Sequence, residues 1–434
     1  MTLVLVEVAK NINTVAEETL RALYYNGRIS MERLKTYGDE KLKPLNIAQK
    51  NRTIRNILNL IMHSSKFLLL GHSYSDEDCV SSMLAIALLL RKFGKCVVIY
   101  VKDRLPQSLD FFQKICEYNE IELLIKSTDN LEKPDAIFIL DTPKPDMIAL
   151  DEKILDFFLQ KSIPKVEIDH HFSKDARHTG DTPYQLTLHA SSSCEIVAHV
   201  CYKLSKQKIV LEKHGIGELY SRNIVLAILT GMIGDAKLGN YLSTRRDRAF
   251  FKYFLNKLGA ILKKSYYINS KNISSIDEIL HLLEEISEKE KSLYDETLKK
   301  TKKCDGLGLL ILDEKDSLAL QKKIDDFQDF VAIVRRITGE LSDSPNLASV
   351  SCFYYPQSIS SFVEFRVRAG EAIKGIDFRQ VIEDLKVPLG NGGGHPGAIC
   401  FKVEKKEIDN LNSYVKLLMD DVKRLISIKQ ENNL

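Results

Sequence analysis

The segment KVEIDHH, residues 165–171, joins a short apolar run to three chemically active side chains. A run of this length bounded by polar residues favours a buried strand. Asp169, His170 and His171 stand where that strand ends. Open α/β sheets bind their ligands at the carboxyl ends of the strands. The segment therefore predicts a sheet and the edge at which its chemistry takes place.

Other apolar runs around this segment alternate with helical patterns. KFLLL (66–70), CVVIYV (96–101) and AIFIL (136–140) are predicted strands. The predicted helices lie at 53–65, 83–94, 109–119, 194–206 and 218–234. Short strands that alternate with helices indicate an α/β fold with an open parallel sheet.

A second α/β pattern occupies the last third of the chain. Its predicted strands lie at 306–313, 349–355, 362–369 and 398–404, and its predicted helices at 318–337, 378–385 and 411–428. Ser275 and Glu278 have the spacing of a capping box, which predicts a solvated connecting helix over 274–303. We therefore expect a helical N-terminal extension (1–51), a parallel-sheet catalytic domain (52–262), a helical linker (263–303) and a smaller α/β substrate-binding domain (304–425).

Length and charge limit the class of protein. At roughly 150 residues per domain, the 434 residues predict two or three domains. A hydrophobic content of 44% and a charged content of 28% are typical of folded soluble proteins. The net charge of +3 is small for a protein that works on long nucleic acid, so no long DNA is expected as a partner.

The cysteine pattern and the apolar runs bear on the compartment. None of the 8 cysteines forms a CxxC pair, which argues against zinc-ribbon and thioredoxin-like sites. Scattered thiols suit a reducing environment. The N-terminus lacks the pattern of a secretory signal, and no run approaches the ~18 apolar residues of a membrane span. We expect a cytoplasmic protein with no membrane partner.

Carboxylates and imidazoles follow several of the predicted strands in the first domain, and Asp235 follows a predicted helix. The set comprises His72, Asp76, Asp78, Asp141, Asp169, His170, His171 and Asp235. Taken singly, such residues are more often helix caps or structural histidines. Together they suit a site in which two divalent cations clamp a reacting phosphate. Carboxylates mixed with imidazoles, without thiolates, favour Mn²⁺, with Mg²⁺ as the alternative.

Four motifs here resemble the DHH phosphoesterase superfamily, and the resemblance extends over residues from about 55 to 425. The motifs are GHSYSDEDCVSS (71–82), FILDT (138–142), VEIDHH (166–171) and TGMIGDAKLGNY (230–241). The chain departs from the family pattern at Ser75, at Ser81 and Ser82, and at Ala236. These departures bear on substrate preference and loop geometry, because none of them is an expected metal ligand.

The resemblance implies a role for each residue of the set. One cation is held by His72, Asp76 and Asp141, and a second by Asp78, Asp141, His170 and Asp235, with Asp141 as the bridge. His171 lies beside the reacting phosphate and Asp169 orients an imidazole. The implied nucleophile is water activated by the cations. Separately, one of the serines in ASSSCEIV, residues 190–197, is expected to cap the following helix.

A glycine-rich segment, GNGGGHPGA at 390–398, precedes the last predicted strand. Consecutive glycines let backbone N–H groups approach an anion closely. The segment resembles the signature of the DHH-associated C-terminal domain. That resemblance implies that Gly392, Gly393, Gly394 and His395 contact the substrate, together with Arg366 of FVEFRVR.

The expected metal site and the glycine-rich segment together favour a short substrate. The first would cleave a phosphate ester while the second holds the far end of the same molecule. The expected activity is hydrolysis of phosphate esters in short oligonucleotides or dinucleotides. Oligoribonucleotides, cyclic di-AMP or its linear product, and 3′-phosphoadenosine 5′-phosphate remain open as substrates. The alternatives are an inorganic pyrophosphatase or exopolyphosphatase-like enzyme, and a catalytically silent nucleotide-binding regulator. The oligomeric state stays open, with a homodimer as one candidate.

Overall fold

The computed structural model describes most of the chain, which divides into two compact units between residues 285 and 286. The described residues are 34, 37–41, 43–102, 104–105, 107–236, 245–264, 275–284, 288–324, 326–343, 346–373, 375–388 and 391–431. Among them, no helix combines the length and the apolar character needed to cross a lipid bilayer. The boundary between the units lies inside the segment expected to be the linker.

The first unit alternates strands with helices. Its elements are α1 (Ile47–His63), β1 (Lys66–Leu70), α2 (Glu77–Lys92), β2 (Cys96–Val101), α3 (Asp110–Tyr118), β3 (Glu122–Ile125), β4 (Ala136–Leu140), α4 (Glu152–Leu159), β5 (Lys165–Asp169), β6 (Gln185–Thr187), α5 (Ser193–Ser205), α6 (Lys208–Lys213), α7 (Arg222–Ala236), α8 (Arg245–Lys264) and α9 (Ile276–Glu284).

The strands of the first unit form one parallel sheet in the order β3-β2-β1-β4-β5-β6. The parallel α/β fold expected from the sequence is confirmed. The chain order reverses between β1 and β4, which creates a crevice at their carboxyl ends. Strands β3 and β6 were not predicted, because one is only partly buried and the other has three residues.

The second unit contains a separate, mixed sheet. Its elements are α10 (Glu288–Leu298), β7 (Lys302–Cys304), β8 (Leu307–Ile311), α11 (Glu314–Gln321), α12 (Phe327–Asp343), β9 (Ala348–Tyr354), β10 (Phe362–Ala369), α13 (Arg379–Asp384), β11 (Gly392–His395), β12 (Ala398–Glu404) and α14 (Leu411–Glu431). The sheet order is β11-β12-β10-β9-β8-β7, in which β8 and β9 are parallel and the other pairs antiparallel.

Each unit has a core of its own. In the first unit, α2 is buried along nearly its whole length, as its largely apolar sequence requires. In the second unit, the rings of Phe365 and Phe401 stack at 5.2 Å between centroids on the inner face of the sheet. Strand β12 alternates between buried and partly exposed residues, so one of its faces packs on the core.

Two predicted helices differ from those observed because capping side chains set new starts. The helix predicted over 218–234 begins at Arg222, since the Ser221 hydroxyl accepts from the Ile224 N–H at 3.3 Å. The helix predicted over 318–337 is two helices. Asp326 accepts from the Gln328 N–H at 2.8 Å and competes with a continuous helical ladder.

The linker helix expected over 274–303 differs at its end, because α10 ends at Leu298 and β7 begins at Lys302. That stretch contains α9 in the first unit and α10 in the second, and each buries a side chain, Ile279 and Leu293 respectively. Ser275 caps the start of α9 as predicted, since its hydroxyl accepts from the Glu278 N–H at 3.1 Å.

The predicted helical extension also needs correction. Most of it, residues 1–33, lies outside the described residues. Residues 37–41 and 43–46 are not helical, since Glu40 forms a β-bridge with Arg177 and the Lys41 N–H donates to the Ala176 carbonyl at 3.0 Å. Helix α1 begins after Asn46, which forms a capping box.

Candidate metal centre

The carboxyl edge of the first sheet carries the polar side chains singled out by the sequence. His72 follows β1, Asp141 follows β4, and Asp169 is the last residue of β5. Two carboxylates come from α2: Asp76 is its N-cap, accepting from the Cys79 N–H at 3.3 Å, and Asp78 lies in its first turn. Asp235 is in the last turn of α7. The crevice at the chain reversal therefore gathers these residues from several elements.

Asp141 is at the centre of this group. Its Oδ2 lies 3.7 Å from Nε2 of His72, and its Oδ1 lies 3.3 Å from Nε2 of His170 and 3.7 Å from Nδ1 of His171. His170 Nε2 is also 3.4 Å from Oδ2 of Asp235. One carboxylate thus joins the imidazoles that follow β1 and β5.

The N-terminus of α5 holds another of the carboxylates. The backbone N–H groups of Ser193 and Cys194 donate to Oδ2 and Oδ1 of Asp78 at 2.5 and 2.9 Å. A helix N-terminus favours an anion in this position. Gly231 of α7 allows the close approach, because a Cβ at this residue would overlap the Cys194 sulfur and lie 2.8 Å from Oδ1 of Asp78.

Like charges and burial dominate the electrostatics of the group. Burial, followed by the charges of Asp141 and Asp235, raises the pKa of Asp78 well above its usual value. Burial also raises the pKa of Asp235 to about 7. Although burial acts in the same direction on Asp141, the hydrogen-bonding imidazoles of His170 and His72 hold its pKa well below the usual value. The cluster concentrates more negative charge than the protein groups around it balance, which suits bound cations.

The donor atoms form three overlapping groups that fit divalent cations. Within each group the donor atoms lie within 4.8 Å of one another, and the groups are His72, Cys79 and Asp141; Asp141, His170 and His171; and Asp78, His170 and Asp235. Asp76 belongs to none of these three groups among the described residues, although its Oδ1 is 3.7 Å from Nε2 of His72. Burial raises the pKa of the Cys79 thiol, which disfavours it as a ligand beside the oxygens and imidazoles.

Asp169 fixes the ring of His171 instead of entering a metal group. Its Oδ1 lies 2.8 Å from Nδ1 of His171, and its Oδ2 accepts from the His171 N–H at 3.1 Å. An ionised carboxylate only accepts hydrogen bonds, so Nδ1 carries the proton.

Two buried side chains beside this centre, Lys41 and Glu167, were not singled out from the sequence. The Nζ of Lys41 lies 2.7 Å from Oδ2 of Asp169 and 3.0 Å from Oε1 of Glu167. Nothing in the charged N-terminal segment distinguishes Lys41. A signal was available in Glu167, since a carboxylate within a buried strand needs a partner.

The serines before α5 have separate roles. The Ser192 hydroxyl accepts from the Glu195 N–H at 3.1 Å and is the helix cap that the sequence predicts for one of these serines. The Ser193 hydroxyl instead donates to Oδ1 of Asp141 at 2.9 Å. Ser193 is therefore a contact of the central carboxylate, which spacing alone did not reveal.

The residues expected to bind substrate lie in the second unit. Arg366 is paired with Glu364, whose Oε1 accepts from the arginine Nε at 2.7 Å and lies 2.6 Å from its Nη2. In β11, a Cβ on Gly392 would be 2.7 Å from Cβ of Phe401, and Gly394 has a φ of +134°. Packing and backbone conformation thus require both glycines, whereas a Cβ at Gly393 would meet no atom within 4 Å. The backbone of His395 ends β11.

Comparisons with known sequences agree with this geometry. Residues 66–232 match the sequence profile of the DHH family, N-terminal domain. The cyclic-di-AMP phosphodiesterase PdeA of Listeria monocytogenes is 24% identical over 208 residues, which is 46% of this chain and 29% of that protein. The chain thus spans less than a third of the length of this relative.

Comparison with solved structures identifies one that shares the fold. An exopolyphosphatase-related protein from Bacteroides fragilis has a TM-score of 0.62 at 18% identity, with 88% of this chain and 98% of that chain covered. RecJ from Thermus thermophilus, solved in complex with Mn²⁺, has a TM-score of 0.48 at 12% identity, with 91% and 56% covered. The first of these likenesses extends the shared fold over most of the chain.

Proposed function

We propose that this chain, which belongs to the DHH phosphoesterase superfamily, hydrolyses phosphate esters of short oligonucleotides or dinucleotides with the help of two divalent cations. The observation that carries the proposal is the position of Asp141, within 3.7 Å of ring nitrogens of His72, His170 and His171. A carboxylate shared by several other donors is what two neighbouring cations require.

The donor set divides between two cation positions. His72, Asp76 and Asp141 would hold one cation, and Asp78, Asp141, His170 and Asp235 the other. Cations bound there would supply Lewis-acid stabilisation of the phosphate and would lower the pKa of water. Oxygen and imidazole donors favour Mn²⁺, with Mg²⁺ as the alternative.

The remaining imidazole is placed for proton transfer. Oδ1 of Asp169 accepts a hydrogen bond from Nδ1–H of His171 at 2.8 Å and holds the ring, and Nε2 would stabilise charge or move a proton at the phosphate. The His171 side chain retains 19% exposure, whereas the carboxylate behind it is fully buried. An accessible His171 ring held by a buried carboxylate suits a side chain that contacts substrate.

Two features support a small nucleotide as substrate. The Listeria relative acts, by its name, on cyclic di-AMP. The second unit carries the glycines of β11, with Gly393 sterically open, and Arg366 uses two of its nitrogens on Glu364. A guanidinium has five N–H donors, so the pair can orient Arg366 and still leave donors for a phosphate.

A substrate panel tests the proposal. Purified protein with Mn²⁺ is incubated with pApA, cyclic di-AMP, bis-nitrophenyl phosphate, 3′-phosphoadenosine 5′-phosphate and pyrophosphate. We expect turnover of a nucleotide substrate that falls at least about 100-fold in Asp141→Asn, since loss of the shared ligand removes several kcal/mol of stabilisation. Asp129→Asn, at an exposed carboxylate, is the matched control and should retain full activity.

Other outcomes of the panel point elsewhere. Preferential hydrolysis of pyrophosphate would move the activity to the pyrophosphatase or exopolyphosphatase class. Tight nucleotide binding without turnover, and without a gain in melting temperature from Mn²⁺, would instead favour a silent regulatory protein.

A further inference from the structure

A buried lysine from outside the family-matched segment contacts Asp169, the first residue of the Asp169-His170-His171 triplet. Lys41 precedes the matched residues 66–232 in the chain. Its side chain is fully buried, as are those of Glu167 and Asp169. Besides these two carboxylates, its Nζ donates to the Thr142 carbonyl at 3.1 Å, one residue after Asp141.

The geometry of β5 explains why a cation is needed there. Glu167 and Asp169 are two residues apart in the strand, so their side chains leave the same face of the sheet. Two buried carboxylates on one face repel each other, and burying an unpaired charge is costly. The ammonium of Lys41 lies between them and compensates part of this charge.

Each of the two carboxylates contacts an imidazole. Oε2 of Glu167 lies 3.0 Å from Nδ1 of His178 and accepts from the N–H groups of Thr179 and Gly180, while its Oε1 accepts from the Thr187 hydroxyl. Asp169 uses Oδ1 for the His171 ring, which lies in the metal centre, and offers Oδ2 to Lys41. Lys41 therefore contacts Asp169, which in turn contacts the imidazole of His171.

We infer that Lys41 is a positioning residue for the proposed phosphoesterase reaction: it holds Asp169, which holds the His171 ring with the hydrogen on Nδ1. The inference rests on the proposed function for its kinetic consequence. Its structural part, the state of the His171 ring, stands independently. The catalytic domain would then include residues before the family-matched segment.

The kinetic test uses Lys41→Met, which keeps the length of the side chain and removes its charge. With bis-nitrophenyl phosphate and Mn²⁺, we expect kcat to fall about 10–100-fold, the usual effect of removing a group that supports a catalytic side chain. KM should change less than 3-fold, on the order expected for an interaction that acts on the reaction step. Lys165→Met is the matched control, because Lys165 is a buried lysine at the other end of β5, and it should leave kcat unchanged.

A double variant separates positioning from a merely structural role. In Lys41→Met combined with Glu167→Gln, one buried negative charge is removed with the positive one, and the new amide can donate to the Thr187 hydroxyl. We expect this variant to recover the melting temperature lost in Lys41→Met but not its kcat. Recovery of both would show that Lys41 only balances charge, and would overturn the inference.

A double-mutant cycle tests whether Lys41 acts on kcat through His171. In a His171→Gln background, Lys41→Met should produce no further loss of the residual kcat. An undiminished 10-fold or larger loss would mean that the lysine acts elsewhere, and would overturn the inference.

The decisive readout needs no activity. In ¹⁵N NMR spectra of the metal-free protein, with His171 assigned from the His171→Gln spectrum, we expect the hydrogen on Nδ1 in the wild type and a tautomer mixture in Lys41→Met. An unchanged tautomer in Lys41→Met would overturn the inference. If the wild type turns over none of the phosphates, the proposed function fails, and the NMR comparison alone decides whether Lys41 sets the ring.

Discussion

Asp141 combines an unusual backbone conformation with a central position in the site. Its φ of 51° is in the left-handed region, which residues other than glycine rarely adopt and which costs on the order of 1–2 kcal/mol. The backbone keeps this conformation through the Asp141 N–H, which donates to the Ile168 carbonyl at 3.0 Å. Strain of this kind concentrates at functional sites, since the surrounding structure must support it. The left-handed conformation at the end of β4 is thus a second feature, beside its contacts, that marks Asp141 as a candidate functional residue.

The neighbouring serines provide a prediction at the same scale. Ser193→Ala removes the hydroxyl that donates to Asp141 at 2.9 Å, and we expect Mn²⁺ affinity to fall about 10-fold by titration calorimetry. Ser192→Ala removes the cap of α5 and should cost about 1 kcal/mol of unfolding free energy, with Mn²⁺ affinity unchanged. Equal effects of both variants on Mn²⁺ affinity would contradict the separate roles assigned to the two hydroxyls.

At the scale of elements, Gly231 and Gly234 allow the close packing of α7, and Gly231 faces residues of both α2 and α5. Gly231→Ala would place a methyl group against the Cys194 sulfur and Asp78, so we expect a loss of about 1–3 kcal/mol by urea unfolding, together with weaker Mn²⁺ binding. Gly259→Ala in α8 is the control: it is exposed, a Cβ there meets no atom within 4 Å, and alanine should stabilise the helix by up to about 1 kcal/mol. A neutral Gly231→Ala would show that the three helices are not tightly packed at this point.

The ion pair of Glu364 and Arg366 in β10 makes the stability of the second unit depend on pH. Burial alone would raise the pKa of Glu364, but the guanidinium of Arg366 lowers it below its usual value. A carboxyl whose pKa is lower in the folded state stabilises the fold above its unfolded pKa, and this contribution is lost as the pH falls through the folded pKa. At pH 7, we expect Glu364→Gln to cost about 1–3 kcal/mol, because it removes the carboxylate partner of a guanidinium that is only 18% exposed.

The measurement is urea unfolding as a function of pH. The difference between wild type and Glu364→Gln should be largest near neutrality and should shrink as the pH falls below about 4. Glu404→Gln, at a partly exposed carboxylate at the end of β12, serves as the control and should show only a small difference. A gap that widens towards acid pH would contradict the assigned direction of the pKa shift.

At the scale of the whole molecule, sequence and structure agree where local chemistry dominates. The runs that become β1, β2, β4 and β5 are apolar and end in polar residues, so both the strands and their functional edge could be predicted. Contacts between distant segments could not be predicted in this way. Lys41 reaches Asp169 over 128 residues and Ser193 reaches Asp141 over 52, and neither pairing has a local pattern. The helix breaks at Ser221 and Asp326 depend on single capping side chains within otherwise helical sequences.

The division into two units leads to a prediction about metal binding. All the proposed cation ligands belong to the first unit, and each unit has its own hydrophobic core. We therefore expect Mn²⁺ to slow hydrogen exchange in peptides around 72–80, 169–172 and 193–197, measured by mass spectrometry against a chelator-treated sample. With Mn²⁺ at 100 times its Kd, the stabilisation of about 2.7 kcal/mol corresponds to roughly 100-fold slower exchange.

The second unit and one ligand variant make this measurement specific. Peptides from β9 should exchange at the same rate with and without Mn²⁺, because no proposed ligand lies in that unit. Asp141→Asn should remove the protection in the first unit, since both proposed cations share this carboxylate. Protection that persists in Asp141→Asn would place the bound Mn²⁺ elsewhere. Equal protection of β9 would mean that the stability of the second unit is linked to metal binding in the first.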